Sequence, residues 1–216
     1  MSSRRPGRTL SIGIDLGGTK CLGVAVAEEE VVAELRLPTP PGADAVLATL
    51  VELVAGLRSR CAPDGDVTSI GVGVPGLVDR AGVLQVAPNL VGVTGLQVRT
   101  ELQRVFGQTV AVDNDATCAV WSEHKMGAAR GLSDVVLVTL GTGIGGGIVA
   151  RGQVWRGAQG FAGEFGHMVV DPEGPPCPCG QRGCWERFAS GTALGGLARE
   201  GCDVGAFERV RELAGG

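Results

Sequence analysis

The sequence predicts an α/β fold built from two related halves. Three observations carry this reading. Short apolar runs of strand length alternate with one long helical pattern. IGIDLGGTKCLGVAVA near the start returns in altered form as LVTLGTGIGGGIVARG, each a strand, a Leu-Gly turn, a second strand and another turn. Glycine is in excess, 37 of 216 residues, against a usual share of about 7%. No G-X-Y period accompanies it, so the excess points to tight turns and to backbone packed close to a ligand.

Taken in order, Leu10–Ile14, Cys21–Ala27 and Val31–Leu37 are three strands in hairpin order, with Glu28–Glu30 turning between the last two. Pro38–Gly42 is a loop. Ala43–Arg58 is a helix, because Val46, Leu47, Leu50, Leu53, Val54 and Leu57 fall at helical spacing. Ser69–Val74 is a strand stopped by Pro75-Gly76, Gly95–Phe106 a helix and Thr109–Val112 a strand. Asp113-Asn114-Asp115 then opens a helix to about Met126, with Gly127 as its C′ residue. The second cycle has strands at Val135–Leu140 and Ile144–Ala150, and a turn at Arg151-Gly152-Gln153. A helix over Ala193–Glu200 and a short helical piece over Glu208–Leu213 close the chain. The copies begin near residues 9 and 133, which leaves the second about 84 residues against about 124 for the first. The expected division is 1–131 and 132–216, with the second domain incomplete.

Composition narrows the function classes. A 44% hydrophobic chain of net charge −4 is no disordered segment. A pI near 5.3 supplies no basic field for nucleic acid. MSSRRPGRTL lacks the apolar core of a signal peptide. The longest uncharged stretches, Ala81–Val98 and Val135–Ala150, do not have the character of membrane spans. Seven cysteines, an odd number, without a secretion signal favour thiols or a metal over disulfides, and a cytoplasmic setting.

Four groups could carry chemistry. In Asp15-Leu16-Gly17-Gly18-Thr19-Lys20 the glycines let backbone N–H groups approach phosphate, with the Thr19 hydroxyl, the Lys20 charge, and Asp15 to hold hydrated Mg²⁺. A plain surface hairpin is the alternative. Gly141-Thr142-Gly143-Ile144-Gly145-Gly146-Gly147 satisfies G-x-G-x-x-G literally, but that dinucleotide fingerprint needs a helix directly after it. Ile148–Gly152 continues instead as strand and turn, which favours a second phosphate hairpin. Asn114-Asp115 sits at a strand-to-helix junction, either as a helix cap or as a general base whose pKa the helix N-terminus would lower. Cys177, Cys179 and Cys184 lie within eight residues, punctuated by Pro and Gly, ten residues beyond His167. Three Cys and one His complete a closed tetrahedral zinc site of the structural kind. Glu164 and Glu186 flank these ligands, and carboxylates accept paired hydrogen bonds from sugar hydroxyls.

Together these segments resemble the ROK family of repressors and sugar kinases. The carrying motifs are DLGGTK (15–20), VGVPGLVD (72–79), APNL (87–90), DNDA (113–116), LGTGIGGGI (140–148), GEFGH (163–167) and CPCGQRGCWE (177–186), in family order. GAQGFAGEFGHM with CPCGQRGCWE is most similar to the bacterial glucokinases within that family. The resemblance implies an actin-like ATPase (ribonuclease H-like) pair of α/β domains closing over a cleft, the second one incomplete. It implies ATP-dependent phosphorylation of glucose at the 6-hydroxyl, as in glycolysis, with Mg²⁺ and structural Zn²⁺, and a homo-oligomer such as a dimer. A kinase for N-acetylmannosamine or fructose, or a sugar-binding remnant without turnover, are the alternatives.

By the same resemblance, Asp15, Gly17, Gly18, Thr19 and Lys20 form one phosphate motif and Gly141, Thr142 and Gly143 the other. Asp115 is the base for the 6-hydroxyl. Asn89, Asn114, Asp115, Glu164, His167 and Glu186 hold the sugar, while His167, Cys177, Cys179 and Cys184 hold zinc. His167 would then use one ring nitrogen for each task. The sequence departs from the family at DNDAT, where ENDAN is usual, and at Val93, where many relatives carry an aromatic residue. Too few residues precede the first strand for the repressors' winged helix-turn-helix. Relatives also continue past position 216 into an adenosine-binding segment, so the nucleotide half is expected to be cut short.

Overall fold

A computed structural model describes residues 9–62 and 65–200. Cys202 and the helical piece expected at Glu208–Leu213 lie outside the described residues. The chain divides into two compact units, 1–118 with 156–161, and 119–155 with 162–216.

In the first unit, β1 (Thr9–Leu16), β2 (Lys20–Ala27) and β3 (Glu30–Pro38) form an antiparallel meander. Glu28 and Glu29, both at positive φ (51° and 70°), make its second turn, the backbone form that suits a two-residue hairpin. α1 (Ala43–Cys61) follows and returns the chain to β4 (Asp66–Val74), parallel to β1. The small hairpin β5 (Leu77–Val78) and β6 (Leu84–Val86) precedes α2 (Val98–Phe106) and β7 (Val110–Asn114), parallel to β4. The sheet order is β3-β2-β1-β4-β7. Alternation along β1 buries Leu10, Ile12, Ile14 and Leu16, while the helical period of α1 buries Val46, Leu50, Leu53, Val54 and Leu57 in the same core. Each such side chain, wholly out of water, contributes on the order of 2 kcal/mol.

Two expected helix starts move. α2 begins three residues late because Leu96 is engaged elsewhere: the Leu84 N–H donates to its carbonyl at 2.9 Å. Asp113 and Asn114 belong to β7, so strand gives way to α3 (Asp115–Lys125) with no intervening loop.

The second unit holds the rest of α3 and a second antiparallel meander: β8 (Val135–Leu140), β9 (Ile144–Ala150) and β10 (Gln153–Val154), ordered β10-β9-β8. Its second turn, Arg151-Gly152, again has positive φ (53° and 74°), so the repeat seen in the sequence is a repeat of meander and turn types. After it come a single 3-10 turn at Phe165–His167, then α4 (Glu186–Ala189) and α5 (Gly191–Glu200). Gly127 does not take the left-handed cap conformation expected of it. It makes room for the Glu123 side chain, whose Oε2 accepts the Ala128 N–H at 2.8 Å.

The contact division falls inside α3, whereas the sequence repeat places it at 131/132, and residues 156–161 rejoin the first unit. Particular contacts draw that segment back. Arg156 pairs with Asp113 at 2.7 Å, the Arg80 guanidinium donates to the Gly157 carbonyl, and Gly160 lies against the Val78 carbonyl.

Candidate functional site

The first unit brings together Asp15–Lys20, Asn89, Asn114 and Asp115. In register, Asp15 of β1, Gly73 of β4 and Asp113 of β7 stand side by side near the C-terminal ends of three parallel strands. That end of a parallel sheet is where ligand sites gather. The β1–β2 turn is closed by the Gly17 N–H donating to the Lys20 carbonyl at 3.0 Å. Thr39 holds it from behind: its Oγ1 donates to the Gly17 carbonyl at 2.7 Å and its N–H to the Thr19 carbonyl at 3.0 Å. Asn89 lies directly against Gly18, where a Cβ would stand 3.0 Å from its carbonyl oxygen. A side chain at this position would make the Asn89 backbone give by a few tenths of an ångström, so glycine eases the contact between the two candidate motifs.

At the β7–α3 junction the two readings of Asn114-Asp115 separate onto the two residues. Asn114 is the cap: its Oδ1 accepts the Thr117 N–H at 3.0 Å, and its Nδ2 donates to the Gly76 carbonyl at 3.1 Å. Gly76 itself has φ 96° and lies so close to the Val86 carbonyl that a Cβ would be 2.1 Å away. Asp115 is left to other work. Its carboxyl pKa is raised, contrary to the lowering expected from the helix start. Desolvation by the surrounding protein is the largest cause; the Ala116 N–H opposes it and the nearby Asp15 charge adds to it. Loss of water outweighs the hydrogen bonds from Ala116, the Asn114 side chain and the residue's own backbone N–H. Cys118, also beside Asp113 and Asp115, is pushed up to about 12, mainly by burial. It is an inert thiol.

The second unit brings together Gly141–Gly143, Glu164, His167, Glu186 and the three clustered cysteines. The β8–β9 turn is closed by the Gly141 N–H donating to the Gly143 carbonyl at 3.0 Å. A later glycine of the run has another purpose. Gly145–Gly147 are strand residues of β9, and on Gly146 a Cβ would meet the Phe165 ring at 2.2 and 2.5 Å and the Gly163 carbonyl at 2.7 Å. Gly146 lets the Gly163–His167 segment lie flush on the strand, so it does not serve the turn. Glu186 reaches this turn too, its Oε2 accepting the Ile144 N–H at 2.7 Å.

His167, Cys177, Cys179 and Cys184 each offer one ligand atom, and the four atoms lie within 4.8 Å of one another. Cys177 Sγ is 3.5 Å from His167 Nδ1, and Cys179 Sγ is 3.6 Å from Cys184 Sγ. A tetrahedral ion with metal–sulfur bonds of about 2.3 Å sets its sulfurs about 3.8 Å apart, so the residues fit such a cation. Nδ1 faces the cysteines, while Nε2 lies 4.0 Å from Glu164 Oε2. The two ring nitrogens thus have the different surroundings that a double role requires. Burial, then the neighbouring Cys177 and Cys179 thiols, push Cys184 up to about 12. A bound cation reverses that preference.

Thr39, Gly76, Arg156 and Phe165 also shape these sites. VGVPG carried a signal for Gly76; a lone Thr or Arg in a loop carries none.

The family comparison agrees with this architecture. The ROK family matches residues 11–211. A glucokinase of Streptomyces coelicolor is 37% identical over 193 residues, covering 88% of this chain and 59% of that protein. An N-acetylmannosamine kinase of Citrobacter koseri is 34% identical over 201 residues, covering 90% and 67%. Among solved structures, a ROK family glucokinase from Streptomyces griseus, in complex with glucose and AMPPNP, superposes with a TM-score of 0.76 at 39% identity, covering 88% and 60%. The chain thus spans about 60% of the glucokinases' length. Its α/β architecture is part of the actin-like ATPase fold of these kinases, and the chain belongs to the ROK family.

Proposed function

We propose that this chain is the sugar- and phosphate-handling portion of an ATP-dependent hexose kinase that phosphorylates glucose at the 6-hydroxyl. The observation that carries the reading is the junction of β7 and α3. Asn114 satisfies the helix, and Asp115 keeps a carboxyl of raised basicity beside Asp15. A raised pKa suits a general base. The 6-hydroxyl oxygen attacks the γ-phosphorus of ATP while its proton passes to Asp115. The bond from that phosphorus to the β–γ bridging oxygen breaks, and ADP leaves. Phosphoryl transfer depends chiefly on positioning and charge balance.

The resemblance to the ROK kinases supports the following roles. Asn89 and Asn114 in the first unit, and Glu164, His167 and Glu186 in the second, would hold sugar hydroxyls. Gly17, Gly18, Thr19 and Lys20, and separately Gly141, Thr142 and Gly143, would face phosphate. Asp15 would hold hydrated Mg²⁺, which supplies neutralisation of phosphate charge. His167 Nδ1, Cys177, Cys179 and Cys184 would hold structural Zn²⁺. Among the described residues no helix is long and apolar enough to cross a membrane, and we place the activity in the cytoplasm, in a homo-oligomer.

N-acetylmannosamine is the second sugar to consider, because kinases for it are 33–36% identical to this chain. An assay of ADP formation with glucose, N-acetylmannosamine and fructose, on wild type and Asp115→Asn, tests the reading. Turnover with glucose that falls by about 10²–10⁴ in the variant is expected. Equal rates in the two proteins would remove Asp115 from its role. Glucose binding by calorimetry without any ADP formation would favour the non-catalytic remnant.

A further inference from the structure

The β8–β9 turn is held in an unusual manner. An anion-binding turn must show N–H groups to its ligand and keep its carbonyl oxygens turned away. Here the carbonyls are taken from behind by one short segment. The Gly191 N–H donates to the Gly141 carbonyl at 2.8 Å. The Thr192 Oγ1 and N–H both donate to the Thr142 carbonyl, at 2.7 and 3.3 Å. Glu186 Oε2 takes the Ile144 N–H. The Thr142 and Gly143 N–H groups have no hydrogen-bond partner among the described residues. Gly143 also lacks room for a Cβ, which would stand 2.3 Å from Glu186 Oε2.

The holding segment starts where the Cys/His cluster ends. Cys184 is two residues before Glu186, and the Trp185 N–H donates to the Met168 carbonyl at 2.8 Å, next to His167. α4 is tied to the cluster by the Arg187 N–H donating to the Cys184 carbonyl at 2.9 Å. Ser190, 2% exposed, caps α5 by accepting the Ala193 N–H at 3.1 Å, which fixes Gly191 and Thr192. The chain from Cys184 to Thr192, braced by these hydrogen bonds, therefore joins the candidate metal ligands to the turn.

The first unit supplies an internal comparison. Thr39 holds the Gly17–Thr19 turn through the same two donors, hydroxyl and N–H, that Thr192 presents to its turn. But Thr39 follows directly on β3, a full member of the five-stranded sheet. Sheet hydrogen bonds fix it without any cluster of ligands.

We propose that Glu186 and Thr192 are positioning residues that hold the Gly141–Gly143 turn open to phosphate, and that a metal ion on His167, Cys177, Cys179 and Cys184 keeps them in place. Metal release would loosen the second phosphate turn and leave the first unchanged. This rests on the metal and phosphate readings proposed above, and it assigns Glu186 a task besides sugar binding.

Backbone amide exchange measured by NMR on the ¹⁵N-labelled protein tests it without using turnover. The sample is compared with zinc bound, after chelation, and as Thr192→Val, Thr192→Ser and Glu186→Ala, with zinc content measured on each. Chelation is expected to speed exchange at Ile144, Gly191 and Thr192 on the order of tenfold, the loss of about one charge-assisted or buried hydrogen bond. Gly17 and Thr39 should keep their rates. Thr192→Val should speed exchange at Gly191 with zinc still bound, Thr192→Ser should restore it, and Glu186→Ala should speed Ile144. Unchanged exchange at Ile144, Gly191 and Thr192 with zinc demonstrably bound and then released would overturn the coupling alone. Equal acceleration at Gly17 and Thr39 would also overturn it, as general loosening. Failure to bind zinc at all would overturn the coupling and the metal reading together.

Discussion

Replacing Gly146 by alanine puts one methyl group where the Gly163–His167 segment lies on β9. The added Cβ would stand 2.2 and 2.5 Å from the Phe165 ring and 2.7 Å from the Gly163 carbonyl. Carbon atoms at their optimum separation are about 3.5–4.0 Å apart, so the ring must withdraw by more than an ångström. Phe165 is half-buried and can swing; the Gly163 carbonyl is backbone and cannot move without carrying the segment off the strand. We expect the upper part of the overpacking range, about 3 kcal/mol. All three tryptophans (Trp121, Trp155 and Trp185) belong to the second unit, so fluorescence during urea unfolding reports that unit. Gly146→Ala should unfold at lower urea and lower the unit's Tm by on the order of 10 °C. Because His167 moves with the segment, zinc content should fall as well. Gly196→Ala in α5, where nothing lies within 4 Å of the new Cβ, should be neutral or stabilising by up to about 1 kcal/mol. A Gly146→Ala protein that unfolds within about 0.5 kcal/mol of wild type and holds its zinc would refute the packing argument.

Other consequences can be checked directly. If Asp115 is the base, it must be ionised, so kcat/KM should fall as pH drops through its raised pKa, with the acid limb above the ordinary aspartate value of 3.8; a pH–rate profile decides this. The same rise means that the ionised Asp115 costs stability at neutral pH, so Asp115→Asn should melt higher at pH 7 while losing turnover, and the gain should vanish as pH falls through the ordinary value. Gly76→Ala combines φ 96° with a Cβ 2.1 Å from the Val86 carbonyl; loss of about 3 kcal/mol or more in urea unfolding followed by circular dichroism is expected. Cys118, pushed up to about 12, is about 10⁻⁴ thiolate at pH 8. It should resist iodoacetamide in the native protein and react in urea, as read by peptide mass spectrometry.

Much of this was legible in the sequence, for physical reasons. β1, β2 and β8 are runs of apolar residues long enough to declare themselves, and α1 carries an unmistakable 3.6-residue period. The cysteine cluster is local, so its spacing could be seen without any fold. Other features depend on partners far apart in the chain. β5 and β6 have two and three residues, too few for a period. Their hairpin exists because Asp79 accepts the Ala81 and Val83 N–H groups, at 2.8 and 3.0 Å. The purpose of Gly146 could not be separated from that of Gly141–Gly143, because Phe165 meets the strand only after folding. The direction of the Asp115 shift was missed because a local rule, the helix N-terminus, was visible while the surrounding protein was not.

The division of labour at Asn114 and Asp115 has a further meaning. Two neighbouring residues of nearly the same size and shape carry an amide and a carboxylate, and their order decides which one closes the helix. Exchanging them would conserve composition, net charge and helix-forming chemistry. Yet it would seat the negative charge on the Thr117 N–H, as a cap that is already spent, and turn a neutral amide outward in its stead. A helix start can therefore work as a sorting device. It ties one side chain of the pair across the first turn, to the Thr117 N–H, and holds the other only by groups beside it, such as the Ala116 N–H, so that reactivity here is written in the order of two side chains.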